Sequence, residues 1–334
     1  MSAPLLAVER ITKAFGDLRA VDGLSFDVRR GEVFGFLGPN GAGKTTTLRM
    51  IMDITRPDSG TVTFEGRPGL DRRRVGYLPE ERGLFEDAGV LDTLAYLGVL
   101  RGMSSTDARA AGRRWLERLA LADRARSRVN QLSKGNQQKV QIAGAILHEP
   151  DLAVLDEPFS GLDPLNQELV VRLVGELRAA GHAVLLSAHQ LGLVEGLCDR
   201  FLLIARGRPV LQGTLREIRR DAARGADQVL VATLRPAAPA GNGADGAATL
   251  ERMWPGQSRR VRTLPDGALE LELSLPHDAD VGPLLGELAE RFRIERVTMR
   301  ELSLHEIYVR AVGGEADEGQ AGAGAPARAE GTHV

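Results

Sequence analysis

The eight residues Gly38-Pro39-Asn40-Gly41-Ala42-Gly43-Lys44-Thr45 constrain this chain more than any other stretch. They fill the pattern G-x-x-x-x-G-K-[ST]. The apolar run Val33-Phe34-Gly35-Phe36-Leu37 precedes them, and Thr46-Thr47-Leu48-Arg49-Met50-Ile51-Met52 follows with helical character. A strand, a glycine loop and a helix in that order make a phosphate-binding loop. The three glycines let the backbone turn its N–H groups inward at a helix N-terminus, where the peptide dipoles also favour negative charge. Lys44 is positioned to neutralise the β and γ phosphates of a nucleotide, and Thr45 to offer its hydroxyl to Mg²⁺. Thr46 is grouped with the nucleotide-binding residues.

The segments around this loop imply an α/β fold with an antiparallel piece at its start. Residues 5–11 have strand character, and Leu24, Phe26 and Val28 alternate with Ser25, Asp27 and Arg29 as a half-buried strand does. Phe15 lies between these strands, with two readings open: a ring that stacks on adenine, or a core side chain. Residues 61–64 and 75–78 are further short strands, the second leading into the polar loop Pro79-Glu80-Glu81-Arg82-Gly83. Across residues 90–121 the spacing turns helical, with Leu91, Leu94, Leu97, Trp115, Leu116 and Leu119 as expected buried positions. The arginines crowding this region are interspersed with Asp107, Glu117 and Asp123, as on a solvated helical face.

Leu132-Ser133-Lys134-Gly135-Asn136-Gln137-Gln138 opens a helix-compatible stretch, and Ser133 and Gly135 look like helix-entry residues that offer a second anion-binding terminus. The apolar run Leu152-Ala153-Val154-Leu155 suits a buried parallel strand and ends at Asp156-Glu157-Pro158. Two adjacent carboxylates at the carboxyl end of such a strand are poorly explained by packing. Beside a phosphate loop, one can hold the Mg²⁺ shell while its neighbour addresses a water. Ser160-Gly161-Leu162-Asp163-Pro164 turns into another helix, and Ala183-Val184-Leu185-Leu186-Ser187 is a further buried strand with His189 just past its end, where it could sense a γ-phosphate.

Together these residues resemble the nucleotide-binding domain of ATP-binding cassette (ABC) proteins over roughly residues 1–220. The segment from Leu132 to Gln138, similar to that family's signature, is the most specific part of the match. The resemblance implies a P-loop NTPase domain with a mostly parallel sheet, an antiparallel β subdomain and an α-helical subdomain. It also implies ATP and Mg²⁺ as ligands. By the same resemblance Phe15 stacks adenine, Gly38 through Thr45 hold the phosphates, Asp156 serves the cation and Glu157 is the catalytic carboxylate. Asp163 communicates across a dimer, and His189 is the switch histidine. Glu80 stands where the family usually has Gln. A carboxylate there either ligates the cation, adding negative charge near the triphosphate, or faces solvent. The family mechanism is a head-to-tail dimer in which Ser133 and Gly135 of one subunit face the γ-phosphate held by Gly38 to Thr45 of the other. Closure on ATP is then coupled to integral membrane permease subunits at the cytoplasmic face of the cell membrane.

The chain's 334 residues allow two domains, with the first expected at 1–223. Residues 228–234 are strand-like, while 236–248 are rich in Pro, Gly and Ala and suit a mobile loop. Leu269, Leu271, Leu273 and Leu275 alternate with Glu270, Glu272 and Ser274 as a strand with one buried face. A helix at 281–292, a strand at 294–299 and a closing helix at 303–312 complete a smaller α/β accessory domain at 224–312. It resembles the extension on single-domain transporter ATPases that pair with exporter-type permeases, which implies regulation or dimer support. Residues 313–334 are expected to be a disordered tail.

Lys and Arg total 43 against 45 for Asp and Glu, so no basic excess argues for nucleic acid, and none is expected as a partner. The lone Cys198 excludes an internal disulfide and is expected to be a small core residue. No apolar run is long enough to span a bilayer, so any membrane association would pass through a partner. These features favour the ATPase of an exporter, as a homodimer or a heterodimer with a related subunit. A soluble ABC clamp on ribosomes or nucleic acid and a P-loop kinase are the competing readings.

Overall fold

The computed structural model describes residues 3–81, 83–222, 228–236, 243–254, 259–276 and 279–321. The chain divides into two compact units, Met1–Leu215 and Arg216–Val334.

In the first unit, β1 (Leu6–Phe15), β2 (Leu18–Val28), β4 (Ser59–Phe64) and β5 (Arg67–Pro68) form an antiparallel sheet in the order β2-β1-β4-β5. Alternation of buried and open positions gives it one apolar face, and Phe26 stacks from it onto Phe34 and Phe36 with ring centroids 5.3 and 5.5 Å apart. Those two rings belong to β3 (Val33–Leu37), which carries the phosphate loop into α1 (Lys44–Ile51). The central sheet adds β6 (Val75–Leu78), β7 (Leu152–Leu155), β8 (Ala183–Ala188), β9 (Arg200–Ala205) and β10 (Arg208–Gly213), ordered β10-β9-β3-β8-β7-β6. All its pairings are parallel except β10 on β9. The inner strands β3, β7 and β8 are buried at every residue, which is why they appear in the sequence as unbroken apolar runs.

The helical part holds α2 (Val90–Leu100), α3 (Ser105–Arg118) and α4 (Lys134–Ile146), followed later by α5 (Pro164–Ala179) and the short α6 (Leu191–Val194). The continuous helical region expected over 90–121 is broken. Gly102 adopts a φ of 93°, and the Ser104 side chain accepts from the Asp107 N–H, so one helix ends and a capped one begins. Leu91, Leu94, Leu116 and Leu119 are buried as expected, whereas Leu97 and Trp115 are half-buried, with the Arg118 guanidinium 4.5 Å from the Trp115 ring centre. Arg109 and Arg118 pair with Asp92 and Glu176 on the surface, consistent with a solvated face.

A helix, α7 (Leu215–Ala222), spans the division between units. The division therefore falls before residue 223, because Arg219 of this helix already donates to the Leu302 carbonyl and pairs with Glu301. The second unit's sheet consists of β11 (Gln228–Pro236), β12 (Arg259–Thr263), β13 (Leu269–Leu275) and β14 (Phe292–Glu301), fully antiparallel in the order β12-β13-β11-β14. Three helices, α8 (Gly243–Arg252), α9 (Gly282–Arg291) and α10 (Leu304–Ala321), accompany it. Leu269 and Leu271 share a core with Ala232, Leu234, Leu250, Leu288 and Phe292. The loop expected over 236–248 is helical from Gly243, where alanines follow the glycines, and residues 237–242 lie outside the described ones. The closing helix continues past 312 to Ala321, through a stretch with Ala, Glu and Gln among its glycines. The rest of the expected tail, 322–334, lies outside the described residues. Among the described residues, no helix is long and apolar enough to cross a membrane.

Candidate nucleotide site

The phosphate loop owes its shape to glycines at two tight places. Gly43 precedes α1 with φ 105°, and a Cβ there would lie 2.3 Å from the Ala20 carbonyl oxygen. A Cβ on Gly38 would lie 2.5 Å from the Ile204 oxygen. The loop therefore threads between β2 and the end of β9 in a gap that admits only backbone. Lys44 is 6% exposed and folds over the loop, its ammonium donating to the carbonyls of Gly38 (2.8 Å) and Pro39 (3.3 Å). Thr45 follows on α1, and its hydroxyl donates to Glu80 Oε2 at 3.1 Å. Glu80, which follows β6, thus reaches the phosphate loop through Thr45 while remaining exposed to solvent.

Because β7 lies between β6 and β8, the carboxyl ends of all three converge near this loop. Asp156, directly after β7, is completely buried. Its Oδ1 accepts from the Ser187 hydroxyl at 2.5 Å, and its Oδ2 has no hydrogen-bond partner among the described residues. Burial raises its pKa, the nearby Ser187 and Thr45 hydroxyls oppose that shift, and the neighbouring Glu80 and Glu157 charges add to the rise. Glu157 is held at φ 50° with its N–H donating to Ser187 Oγ at 2.9 Å. One hydroxyl therefore positions both acids. Glu157 is 7% exposed. Its Oε1 stands 3.2 Å from the Lys44 ammonium and its Oε2 stands 2.8 Å from His189 Nδ1, just past β8. The left-handed backbone at Glu157 costs a non-glycine residue energy, and here it aims the carboxylate at Lys44 and His189.

A cleft of about 740 Å³ opens over these groups, lined by Phe15, Leu18, Ala20, the loop residues Asn40, Gly41, Gly43, Lys44, Thr45 and Thr46, and also by Glu80, Glu157 and Arg206. Phe15 is 53% exposed with the Lys13 ammonium 5.6 Å from its ring centre, so of the two readings the cleft is favoured over the core. Gly38, Pro39 and Ala42 shape the loop from behind. Ser133, Gly135 and Asp163 do not line this cleft. Ser133 caps α4, accepting from the Asn136 N–H. Asp163 caps α5, accepting from the Asn166 N–H at 2.9 Å. Gly135 lies nearest Leu162 and Gly161, so the signature helix and the turn before α5 abut each other. Leu18, Arg19, Ala20 and Arg206, all on the cleft wall, escaped the sequence reading. Arg206 belongs to the β9–β10 turn, far along the chain, and only the antiparallel return of β10 marks that turn as near the loop. Cys198 is half-buried rather than fully inside, beside Gly35 of β3.

A phosphate loop at the head of a parallel sheet, with an acidic pair after the neighbouring strand and a histidine after the next, defines a P-loop nucleoside-triphosphatase. Comparison with known proteins narrows the class. The ABC transporter family model matches residues 21–160. YhaQ of Bacillus subtilis, an ABC transporter ATP-binding protein, is 46% identical over 219 residues, covering 65% of this chain and 74% of its own. The Nod factor export ATP-binding protein I of Ralstonia nicotianae is 40% identical over 222 residues, covering 65% and 69%. A solved ATP-binding subunit of an ABC transporter superposes with a TM-score of 0.61 at 34% identity, over 65% of this chain and 92% of that one. The chain belongs to the ABC transporter ATP-binding proteins: it binds ATP and is an ATPase, and ATP-binding subunits of this kind work with membrane permeases.

Proposed function

We propose that this subunit powers an exporter. Two copies, or one copy and a related ATPase subunit, clamp two ATP molecules head to tail and transmit closure to separate permease subunits at the cytoplasmic face of the membrane. The observation that carries the reading is the contact chain from Lys44 through Glu157 to His189, lying in the cleft that Phe15 borders. Phe15 stacks on adenine, while the loop N–H groups and Lys44 hold the phosphates. Glu157 orients an in-line water and accepts its proton, and His189 keeps that carboxylate aimed and meets the γ-phosphate. Ser133 and Gly135, outside their own cleft, complete the cleft of the opposing copy, with Asp163 beside them.

The oxygen donors fit Mg²⁺: the Thr45 hydroxyl, the Glu80 carboxylate and the partnerless buried Asp156 Oδ2 form a hard, anionic set. When bound, Mg²⁺ supplies neutralisation of charge on the β and γ oxygens. Exposed Phe85, Tyr96, Val99 and Leu100 support permease docking on the helical part, since monomers seldom leave such side chains clustered in water. Export as the direction is supported by the name of the Ralstonia relative, and the second unit serves regulation or dimer support.

Glu157→Gln is expected to keep ATP binding while turnover falls by roughly 10²-fold or more, the usual range for loss of a general base. The same variant with magnesium and ATP should sediment as a dimer. Unchanged turnover would remove Glu157 from its role. A strictly monomeric variant, both alone and with its permease, would remove the clamp.

A further inference from the structure

The second unit carries a cleft that the nucleotide chemistry does not use. Leu269, Leu271, Leu273 and Leu275 of β13 face the core, so Glu270, Glu272 and Ser274 occupy the opposite face of the sheet. Register carries that face outward: Arg260 of β12 stands opposite Glu272, Arg262 opposite Glu270, and Val229 of β11 pairs with both Ser274 and Arg300. The first turns of α10 lie over this face. The Arg310 Nη2 donates to Ser274 Oγ at 2.7 Å, and the Arg300 guanidinium grips both Glu306 oxygens at 2.8 Å. Between helix and sheet remains a cleft of about 310 Å³, lined among others by Arg259, Arg260, Glu272, His305 and Arg310.

Its charges do not cancel locally. Glu306 is engaged by Arg300 and by the Ser303 N–H and hydroxyl. Arg300 lies 3.6 Å and Arg262 3.9 Å from Glu272, so the second carboxylate is shared as well. Arg259 stands opposite core-facing Leu273 and donates to the Trp254 carbonyl (3.0 Å) and to the Glu251 carbonyl near the end of α8, so its guanidinium is turned away from this face. Arg310 contributes one N–H to a neutral hydroxyl. Arg260 has no hydrogen bond or ion pair among the described residues. Arg260 and Arg310 thus bring two guanidinium groups to one small concavity, neither paired with a carboxylate among the described residues. Their planar forks match oxyanions bidentately, which a lysine ammonium would not.

We infer that this cleft is a binding site for a small dianion, a phosphate ester or a dicarboxylate, held between Arg260 and Arg310 and separate from the nucleotide cleft. Its volume is at the small end of ligand sites, which run from roughly 300 to 1,000 Å³, so the ligand is metabolite-sized rather than polymeric. The full-length chain, saturated with magnesium and a non-hydrolysable ATP analogue so that the phosphate loop is filled, is titrated calorimetrically with inorganic phosphate and separately with succinate. Saturable binding of at least one probe with one site per chain is expected, weakened tenfold or more by Arg260→Gln with Arg310→Gln. The charge-matched pair Arg113→Gln with Arg114→Gln, on α3, should leave it unchanged. Tighter phosphate identifies the tetrahedral class, and tighter succinate the carboxylate class. Absence of saturable binding by both probes, or equal binding by the Arg260/Arg310 variant, overturns the site.

Discussion

Phe15 leaves more than half of its surface open at the mouth of the nucleotide cleft, so its removal tests stacking with little disturbance of packing. Phe15→Ala should weaken ATP affinity by roughly tenfold, the scale of one base–aromatic stack, with the melting temperature of the free protein unchanged. His148, between α4 and β7, makes a different prediction. Burial, with the nearby Arg101 charge adding, lowers its pKa to about 4 against an opposing backbone contact with Val75. The unfolded chain takes up this proton near pH 6.5 whereas the folded one resists until about pH 4. Stability is therefore whole above the unfolded value and falls with acidification across that window, by up to on the order of 2–3 kcal/mol. Denaturant titrations of His148→Gln between pH 7 and 4 should show a flatter profile than the parent chain.

At the scale of elements, the helical part presents an edge-to-face pair, Phe85 and Tyr96, with ring centres 5.5 Å apart and both rings exposed. Phe85→Ser with Tyr96→Ser should reduce recovery of the ATPase with its membrane subunit severalfold, while ATP hydrolysis by the isolated chain persists. Undiminished recovery would move the docking surface elsewhere. Elements buried on both faces were legible from sequence, because β3, β7 and β8 have apolar residues at nearly every position and each ends at a residue of the site. The α2–α3 break was not, since Gly102 and Ser104 act locally inside an otherwise helical spacing. Nor was β12, where Arg259, Arg260 and Arg262 hide a strand whose pairing with β13 supplies the order. For α8, glycine-rich composition masked a helix that packs Leu250 into the core. The phosphate loop, Asp156 and Glu157 could be read because their chemistry is local in sequence. Arg206 could not, because its place depends on the pairing of β9 with β3 and the return of β10.

For the whole molecule, two units with separate cores imply two ledgers of stability. The first is built on the packing around Phe26, Phe34 and Phe36, and the second on the leucines of β13. A ligand held by the first unit stabilises that unit's native state alone. Calorimetric scans with magnesium and a non-hydrolysable ATP analogue at about a hundred times its dissociation constant should raise one transition by roughly 5–10 °C and leave a second in place. A single transition moving as one would mean that the units unfold together. Strand order also bears on how the chain is made. The strand before the phosphate loop is zippered between β8 and β9, whose residues lie more than 140 positions downstream. A nascent polypeptide halted before Ala205 therefore has the complete loop sequence but lacks part of the wall that shapes it, and nucleotide competence arrives late in synthesis.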